Sequence, residues 1–232
     1  MSEQPILSDF PKIECPYIRK TYKVNKDQWR KYGRSLQLRE PKVYLVTDEI
    51  NPGYEWVFED EDTICTEKLD GSNCKLKTEN GRLVAFQNRK NVIDPLQVLK
   101  GKVFLIEGVF RAIDKGYVEA NGEQAGEVIG PKLQGNPYKL DYHLWYPFSK
   151  AIKHLRYKSF HEHERNFENW SAWFKDYLFS LFYLKIHKGE NKMAEGVVFY
   201  NLKRKMEKKT YMAKLRRDMF EWYYSDKIEI EK

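Results

Sequence analysis

Short apolar runs separated by turn residues dominate the first half of the chain. Runs of β-prone or alternating residues, each typical of a strand, occur at 43–46, 56–58, 64–65, 74–77, 83–86 and 103–106. Asn51-Pro52-Gly53 marks a turn after the first run. Asn80-Gly81 separates two later runs and is a hairpin signal. This half of the chain is therefore predicted to form a mainly antiparallel sheet.

The second half contains one long amphipathic pattern, at residues 167–184. Its aromatic and aliphatic residues recur at i, i+3, i+4 and i+7, which predicts a single helix with one apolar face. Such a face usually packs into the core. An aromatic platform for nucleic acid is the less favoured alternative.

Strands are predicted again on both sides of that helix. The segment 140–148 alternates aromatic residues, and 196–200 and 211–215 are short apolar runs. The loop between the last two, 203–209, carries five lysine and arginine residues. It is either a solvated hairpin tip or a contact for a phosphate backbone.

Composition narrows the class of protein. The chain has 232 residues, 41 Lys+Arg against 34 Asp+Glu and a net charge of +7, which suits a phosphate-rich partner such as nucleic acid. Three cysteines without metal-ligand spacing favour a reduced, intracellular protein. No stretch has the apolar length of a membrane span and the N-terminus does not read as a signal peptide. A soluble, cytoplasmic protein is expected, and a monomer.

Residues 66–73 read TEKLDGSN and contain the strongest candidate for chemistry. A β-prone run leads into Asp70-Gly71, which is turn chemistry, so Lys68 is expected where a strand ends. A lysine attacks only in its neutral form, which burial or nearby cations favour. The alternative is an ordinary hairpin with a solvated lysine. The tract resembles the Lys-x-Asp-Gly signature of covalent nucleotidyltransferases, in which the lysine attacks the α-phosphate of ATP or GTP.

Four further segments resemble motifs of that superfamily, in the same order. Arg89 follows the lysine by about twenty residues, and residues 126–136 read GEVIGPKLQGN. Glu195 opens a Glu-Gly-Val-Val run. Lys214 and Arg216 resemble the closing Lys-x-Lys strand, with arginine in the second position; residues two apart on a strand share a face. The eleven-residue run resembles a subset of ATP-dependent RNA ligases similar to the nick-sealing type.

The resemblance implies roles for individual residues. It makes Lys68, Lys214 and Arg216 catalytic, with the two cations stabilising charge on the transferred phosphate. It also implies that Glu195 assists the binding of a divalent metal, directly or through water. The residues implied to bind ATP are Glu67, Asp70, Gly71, Asn73, Arg89, Glu127, Phe148 and Glu195.

An aromatic residue that stacks on adenine is also implied. The superfamily pattern points to Phe148, which would share a strand face with Leu144 and Tyr146. The following residue is Ser149, where relatives have aspartate. The choice among Phe148, Tyr146 and Trp145 is therefore open.

The resemblance implies an α+β adenylyltransferase fold, the ATP-grasp-like fold of DNA and RNA ligases, with antiparallel sheets flanking a nucleotide cleft and helices outside. Residues 61–220 would form the nucleotidyltransferase core. Residues 1–60 would belong to the same domain as a possible substrate-contacting addition, and 221–232 would be a short tail without an appended domain.

The function implied is ATP-dependent joining of RNA 5′-phosphate and 3′-hydroxyl ends through a lysyl-AMP intermediate, with Mg²⁺ or Mn²⁺. RNA ends or nicks are the expected partner, as in RNA repair. A minimal ATP-dependent DNA ligase would share the chemistry. A capping-type guanylyltransferase fits the 126–136 run less well. A non-catalytic nucleic-acid-binding module with the same fold is the alternative from another class, and Lys68, Glu195 and Lys214 argue against it.

Overall fold

The strands that the structure describes pair with one another in antiparallel fashion. The computed structural model describes residues 7–8, 10, 13–94, 100–162, 164–204 and 211–231. Its strands are β1 (Tyr17–Val24), β2 (Lys42–Ile50), β3 (Thr63–Lys68), β4 (Ser72–Glu79), β5 (Arg82–Asn88), β6 (Asn91–Val92), β7 (Gly122–Ile129), β8 (Leu144–Pro147), β9 (Gly196–Asn201), β10 (Met212–Arg216) and β11 (Ile230–Glu231). Its helices are α1 (Lys26–Tyr32), α2 (Trp56–Glu59), α3 (Val103–Asp114), α4 (Phe148–His154), α5 (Phe167–Asp176) and α6 (Leu181–Ile186). The predicted α+β class with antiparallel sheets is confirmed.

The chain divides into two units. Unit 1 comprises Met1–Lys12 and Leu69–Arg156, and unit 2 comprises Ile13–Lys68 and Tyr157–Lys232. The chain passes from one unit to the other directly after Lys68. The sequence-based boundaries at residues 60 and 220 stay a prediction.

Unit 1 contains a five-stranded sheet in the order β6-β5-β4-β7-β8. The predicted Asn80-Gly81 hairpin joins β4 to β5, and both turn residues have positive φ, 51° and 76°. Two positive φ values in succession are the geometry of the tight hairpin turns that Asn-Gly favours. The sequence signal for this hairpin is confirmed.

Unit 2 contains two three-stranded sheets, β11-β1-β2 and β10-β9-β3. The second sheet lies over the main core of this unit. Phe199 of β9 stacks on Trp170 of α5 with ring centroids 5.1 Å apart, and Phe174 is fully buried in the same cluster. The apolar face of α5 is therefore core, as the periodicity predicts.

The single helix predicted over 167–184 is wrong. The structure ends α5 at Asp176 and starts α6 at Leu181. Between them Ser180 accepts a backbone N–H from Tyr183 on its side chain, which makes it the N-cap of a new helix, and its own N–H donates to Lys192 O at 2.7 Å. The apolar spacing runs across the break because both helices bury residues. A side-chain cap interrupts the helix without changing the apolar spacing, so the spacing alone does not indicate the break.

Two predicted strands are helices. The run 103–106 begins α3, whose buried residues 105, 106, 109 and 112 follow helical spacing over a longer window than the run itself. The run 56–58 lies in the single turn of α2. Four-residue apolar runs do not distinguish the two element types.

The aromatic strand predicted over 140–148 is shorter in the structure. Strand β8 covers only Leu144–Pro147, and Phe148 is the first residue of α4. Pro147 is extended, with φ −68° and ψ 144°, and serves as the residue before the helix. Phe148 therefore does not share a strand face with Tyr146. Within the ranges that the structure describes, no helix is long and apolar enough to cross a membrane.

Candidate active site

Lys68 is the last residue of β3 and faces the same side of its sheet as two other cations. It lies opposite Gly196 of β9, which lies opposite Arg216 of β10. Residues directly opposite on neighbouring strands point to the same side. Lys214, two residues before Arg216, points to that side as well. The sheet register thus gathers Lys68, Lys214 and Arg216 on one face of unit 2.

Position 196, which lies between Lys68 and Arg216 in the register of the sheet, requires glycine. A Cβ at this position would lie 2.2 Å from Leu215 O and 2.7 Å from the Cα of Arg216. Strands β9 and β10 therefore approach closely beside the lysine, and residue 196 itself places no side chain between Lys68 and Arg216. The glycine of the Glu-Gly-Val-Val run has a steric cause.

Alternating charges run from Lys68 across the row. Its Nζ donates to Glu195 Oε2 at 2.6 Å. The other carboxylate oxygen, Oε1, lies 3.8 Å from Arg216 Nη1, and Nη2 of the same guanidinium lies 3.1 Å from Asp218 Oδ2. These side chains are 20–36% exposed. These groups are partly shielded from water, which strengthens their electrostatic effect. They are still open to a ligand.

Lys214 has a pKa below its ordinary value. Burial lowers its pKa, and the neighbouring charges of Lys68 and Arg216 lower it further. Glu14 acts in the opposite direction, and its backbone carbonyl accepts the Lys214 N–H at 2.9 Å. Crowded like charges favour an anion such as phosphate, because the anion relieves their repulsion.

Glu67 points to the opposite face of β3 from Lys68. It is 2% exposed, and both of its oxygens are engaged: Oε1 accepts from Ser180 Oγ at 2.5 Å and Oε2 from Phe182 N at 2.8 Å. Burial raises its pKa to about 7, and these hydrogen bonds oppose the rise. The structure ties Glu67 to the start of α6. Its implied role in binding ATP stays a prediction.

Unit 1 holds a second group of predicted site residues. Asn73 of β4 lies opposite Glu127 of β7, and its Nδ2 donates to Glu127 Oε2 at 3.4 Å. Asn88 donates to Ser72 Oγ at 3.0 Å and to Asn73 O at 2.8 Å. Oδ1 of Asn73 is buried and has no hydrogen-bond partner in the described part of the chain. A ligand hydroxyl there would supply the missing donor.

The Asp70-Gly71 turn is fixed by its contacts within unit 1. The N–H of Asp70 donates to the Tyr138 hydroxyl at 2.8 Å. A Cβ at position 71 would lie 2.2 Å from Val128 O. Only glycine fits this close approach to β7, which gives the Gly of the motif a structural reason.

The polar end of the 126–136 run folds its own loop. The Asn136 side chain donates to Leu140 O at 2.8 Å and accepts from Leu140 N at 3.0 Å. The N–H of Lys132 donates to His143 Nε2, and the other ring nitrogen pairs with Glu107 Oε2 at 2.8 Å. These contacts hold the segment that follows Glu127.

The aromatic candidates differ in their surroundings. Trp145 is fully buried and its Nε1 donates to Cys74 O at 3.3 Å, so its ring belongs to the core. Tyr146 lies opposite Glu127 and faces the same side. Phe148 is half-buried at the start of α4 and makes an edge contact with Phe10, with centroids 6.4 Å apart.

Two further predictions from the sequence concern Arg89 and the basic segment 203–209. Arg89 is exposed directly after β5, with φ 53°. In the basic segment 203–209, Lys203 pairs with Asp62 at 2.6 Å and Arg204 with Asp60 at 2.8 Å. The lysines at 205, 208 and 209 lie outside the described residues.

Sequence reasoning missed two residues that contact the predicted site. Ser180 binds Glu67, and Asp218 binds Arg216. Asp218 follows the second cation by two positions, but no motif marks it. Ser180 has a cap signature, because a serine precedes the apolar run of α6, although nothing local connects it with Glu67.

No family model and no curated protein matches the chain. Solved structures similar to it are of Naegleria gruberi RNA ligase. One, with PPi, is 20% identical, covers 71% of this chain and 51% of its own, and has a TM-score of 0.43. A point mutant with ATP and Mn is 18% identical over the same shares, with a TM-score of 0.40. An apo point mutant is 17% identical and covers 97% of this chain and 61% of its own, with a TM-score of 0.45. The chain thus spans about half to three fifths of the length of these proteins.

Proposed function

We propose that this protein is an ATP-dependent RNA ligase that works through a lysyl-AMP intermediate. The observation that supports this most is the row of charges in unit 2. It combines a lysine at a strand end, a carboxylate 2.6 Å from its Nζ and two further cations on the same sheet face. A nucleophile surrounded by positive charge suits attack on a phosphate. The motif order in residues 66–216 is the second support.

The first reaction forms a phosphoramidate. Neutral Lys68 Nζ attacks the α-phosphorus of ATP, a P–N bond forms, and the bond to the bridging oxygen breaks to release pyrophosphate. The proton lost from Nζ passes to solvent, and Glu195 Oε2, 2.6 Å from Nζ, is an acceptor beside it. Lys214 and Arg216 would stabilise the charge that accumulates on the phosphate oxygens.

Two transfers to the nucleic acid follow. An oxygen of the RNA 5′-phosphate attacks the phosphorus of lysyl-AMP, the P–N bond breaks, and Lys68 regains a proton. The 3′-hydroxyl oxygen of the second end then attacks the 5′-phosphorus, loses its proton and expels AMP. The phosphodiester bond is the product.

Glu195 fits a divalent ion. It is an oxygen ligand, 20% exposed, and Mg²⁺ in phosphoryl-transfer sites is held by one or two carboxylates together with substrate phosphates. Mg²⁺ or Mn²⁺ bound there would neutralise phosphate charge. The protein's own residues orient the lysine and the phosphate around it.

The residues of unit 1 would bind the nucleotide. Asn73 and Glu127 present an amide and a carboxylate side by side, suited to ribose hydroxyls. Tyr146 or Phe148 would stack on the adenine, and Arg89 would contact the phosphates or ribose. Asp70 and Gly71 would shape the approach to the lysine. These assignments rest on the resemblance in sequence.

The test is a labelling and sealing assay on the wild-type protein. Incubation with α-labelled ATP and Mg²⁺ is expected to label the protein, and α-labelled GTP is not. Chasing the adduct with a nicked duplex is expected to seal RNA faster than DNA. Faster sealing of DNA would identify a DNA ligase, and labelling by GTP would identify a guanylyltransferase. Absence of any adduct, with RNA still bound, would leave the non-catalytic binding module.

A further inference from the structure

Asp218 touches the predicted site and has no role in the motif pattern. It lies two residues beyond β10, in the short helical turn Arg217–Met219. Its Oδ2 is 3.1 Å from Arg216 Nη2. Its backbone carbonyl accepts from the Tyr224 hydroxyl at 2.9 Å, and Tyr224 is buried. The aspartate is therefore held in place from its own backbone.

Two buried polar atoms of the Arg216–Asp218 ion pair show which further hydrogen bond the pair could form. Arg216 Nε and Asp218 Oδ1 are both buried, and neither has a hydrogen-bond partner among the residues that the structure describes. A guanidinium binds a carboxylate side-on by two parallel bonds, one from Nε and one from Nη. Nη2 already contacts Oδ2, so the two orphan atoms are those that the second bond of this fork would join. Burial makes that bond favourable, since each unpaired atom carries a desolvation cost.

The opposite side of the guanidinium is held only weakly. Nη1 is 3.8 Å from Glu195 Oε1, which is beyond hydrogen-bond distance. Glu195 uses its other oxygen for Lys68. Asp218 is thus the stronger of the two restraints on Arg216.

An arginine in the second cation position creates a need for such a restraint. A lysine ammonium acts as a point charge with freely rotating donors, whereas a guanidinium is planar and binds phosphate well only in one plane. The Asp218 carboxylate lies where burial raises its pKa and the Arg216 charge opposes that rise. The Arg216 charge therefore favours the charged form of Asp218.

We propose that Asp218 is a positioning residue that holds the Arg216 guanidinium in the plane in which it contacts the transferred phosphate. The proposal deepens the proposed function and rests on it. Asp218 itself does not touch the nucleotide. Its effect on the reaction passes through Arg216.

The kinetic test is a double-mutant cycle on single-turnover lysyl-AMP formation. Asp218→Ala is expected to slow the reaction about tenfold at saturating ATP while the half-saturating ATP concentration changes less than about twofold, as for an interaction made in the transition state. In an Arg216→Ala background the same change is expected to cost less than about twofold. Asp62→Asn, which removes an exposed aspartate paired with Lys203, is the matched control and is expected to leave the rate unchanged. Equal slowing in both backgrounds would overturn the proposal.

A spectroscopic test keeps this inference separate from the ligase proposal. Nitrogen-15 NMR of the arginine side chains is expected to show restricted rotation of the Arg216 guanidinium in the wild type and in Asp62→Asn. Asp218→Ala and Asp218→Asn are both expected to release it, and circular dichroism is expected to show that both variants remain folded. Unchanged Arg216 signals in both variants would refute the positioning contact, even if the wild type forms lysyl-AMP. Restricted Arg216 signals in a wild type that forms no adduct would instead refute the ligase proposal and, with it, the catalytic purpose of the contact.

Discussion

Two residues of the TEKLDGSN tract, Lys68 and Asn73, lie in different kinds of surroundings. Lys68, in unit 2, joins a row of alternating full charges that are 20–36% exposed. Asn73, in unit 1, joins amides and one carboxylate, Glu127, which is 8% exposed. Both use the same device, side chains set opposite each other by antiparallel register. Partly exposed charges suit chemistry, and buried hydrogen-bonding groups suit recognition, so the two groups are expected to respond differently to substitution.

The largest expected effect is at Lys68. Lys68→Ala is expected to abolish adduct formation with α-labelled ATP, because no other lysine is implied as nucleophile by the motif. The fold is expected to persist, because the side chain is 24% exposed and lies at a strand end. Lys77→Ala, which removes a lysine paired with Glu79 at 2.9 Å, is the control. Loss of the circular dichroism signal in Lys68→Ala alone would make the residue structural.

The next effect is at Lys214. Lys214→Ala is expected to slow single-turnover adduct formation by about 10²-fold, the usual cost of removing one donor to developing charge. The pKa of Lys214 is lowered by burial and by its neighbours, so its charge is lost at a lower pH than that of an ordinary lysine. The alkaline decline in rate is expected to move to higher pH in Lys214→Arg. An identical alkaline limb in that variant would contradict the role.

A smaller effect is expected in unit 1. Glu127→Gln is expected to raise the ATP concentration at half-saturation by roughly tenfold, the order of one hydrogen bond to a charged group, with little change in the rate at saturation. Glu123→Gln alters an exposed residue of the same strand and is the control. A fall in the saturated rate without a binding change would remove the contrast between the two regions.

The smallest effect on the reaction, and a clear one on stability, is expected at Glu67. Its pKa is about 7 in the folded protein and near 4.5 when unfolded. Between these values the folded state binds the proton and the unfolded state does not, so stability falls as pH rises through this window. The wild type is expected to lose on the order of 3 kcal/mol relative to Glu67→Gln between pH 4.5 and 7. Parallel pH dependence in the two proteins, measured by thermal melts with Glu59→Gln as control, would show that Glu67 is not buried as a protonated acid.

Local signals predicted the parts of the fold that local physics determines. Asn80-Gly81 specifies its turn by φ alone, and the strand placement of Lys68, Lys214 and Arg216 follows from short apolar runs. Periodicity did not predict the break at Ser180, because the apolar period continues across it; the only local signal is a serine before the apolar run of α6. The run 103–106 was misassigned because its helical spacing appears only when residues to 112 are included.

The site could be predicted only as far as its motifs extend. Lys68 and Glu195 stand in recognisable runs, yet their contact depends on β3 pairing with β9 across 127 residues of sequence. Asp218 and Ser180 contact motif residues through tertiary packing, and no spacing rule marks them. The face of β3 on which Glu67 lies follows from alternation, but its burial against α6 does not.

The most direct test of the central claim is to locate the AMP on the wild-type protein. After reaction with ATP and Mg²⁺, proteolysis and mass spectrometry are expected to find AMP on the peptide that contains Lys68, attached through an acid-labile P–N bond. Addition of pyrophosphate is expected to remove it and regenerate ATP. AMP on another lysine, or an unmodified protein under these conditions, would contradict the assignment of Lys68 as the nucleophile.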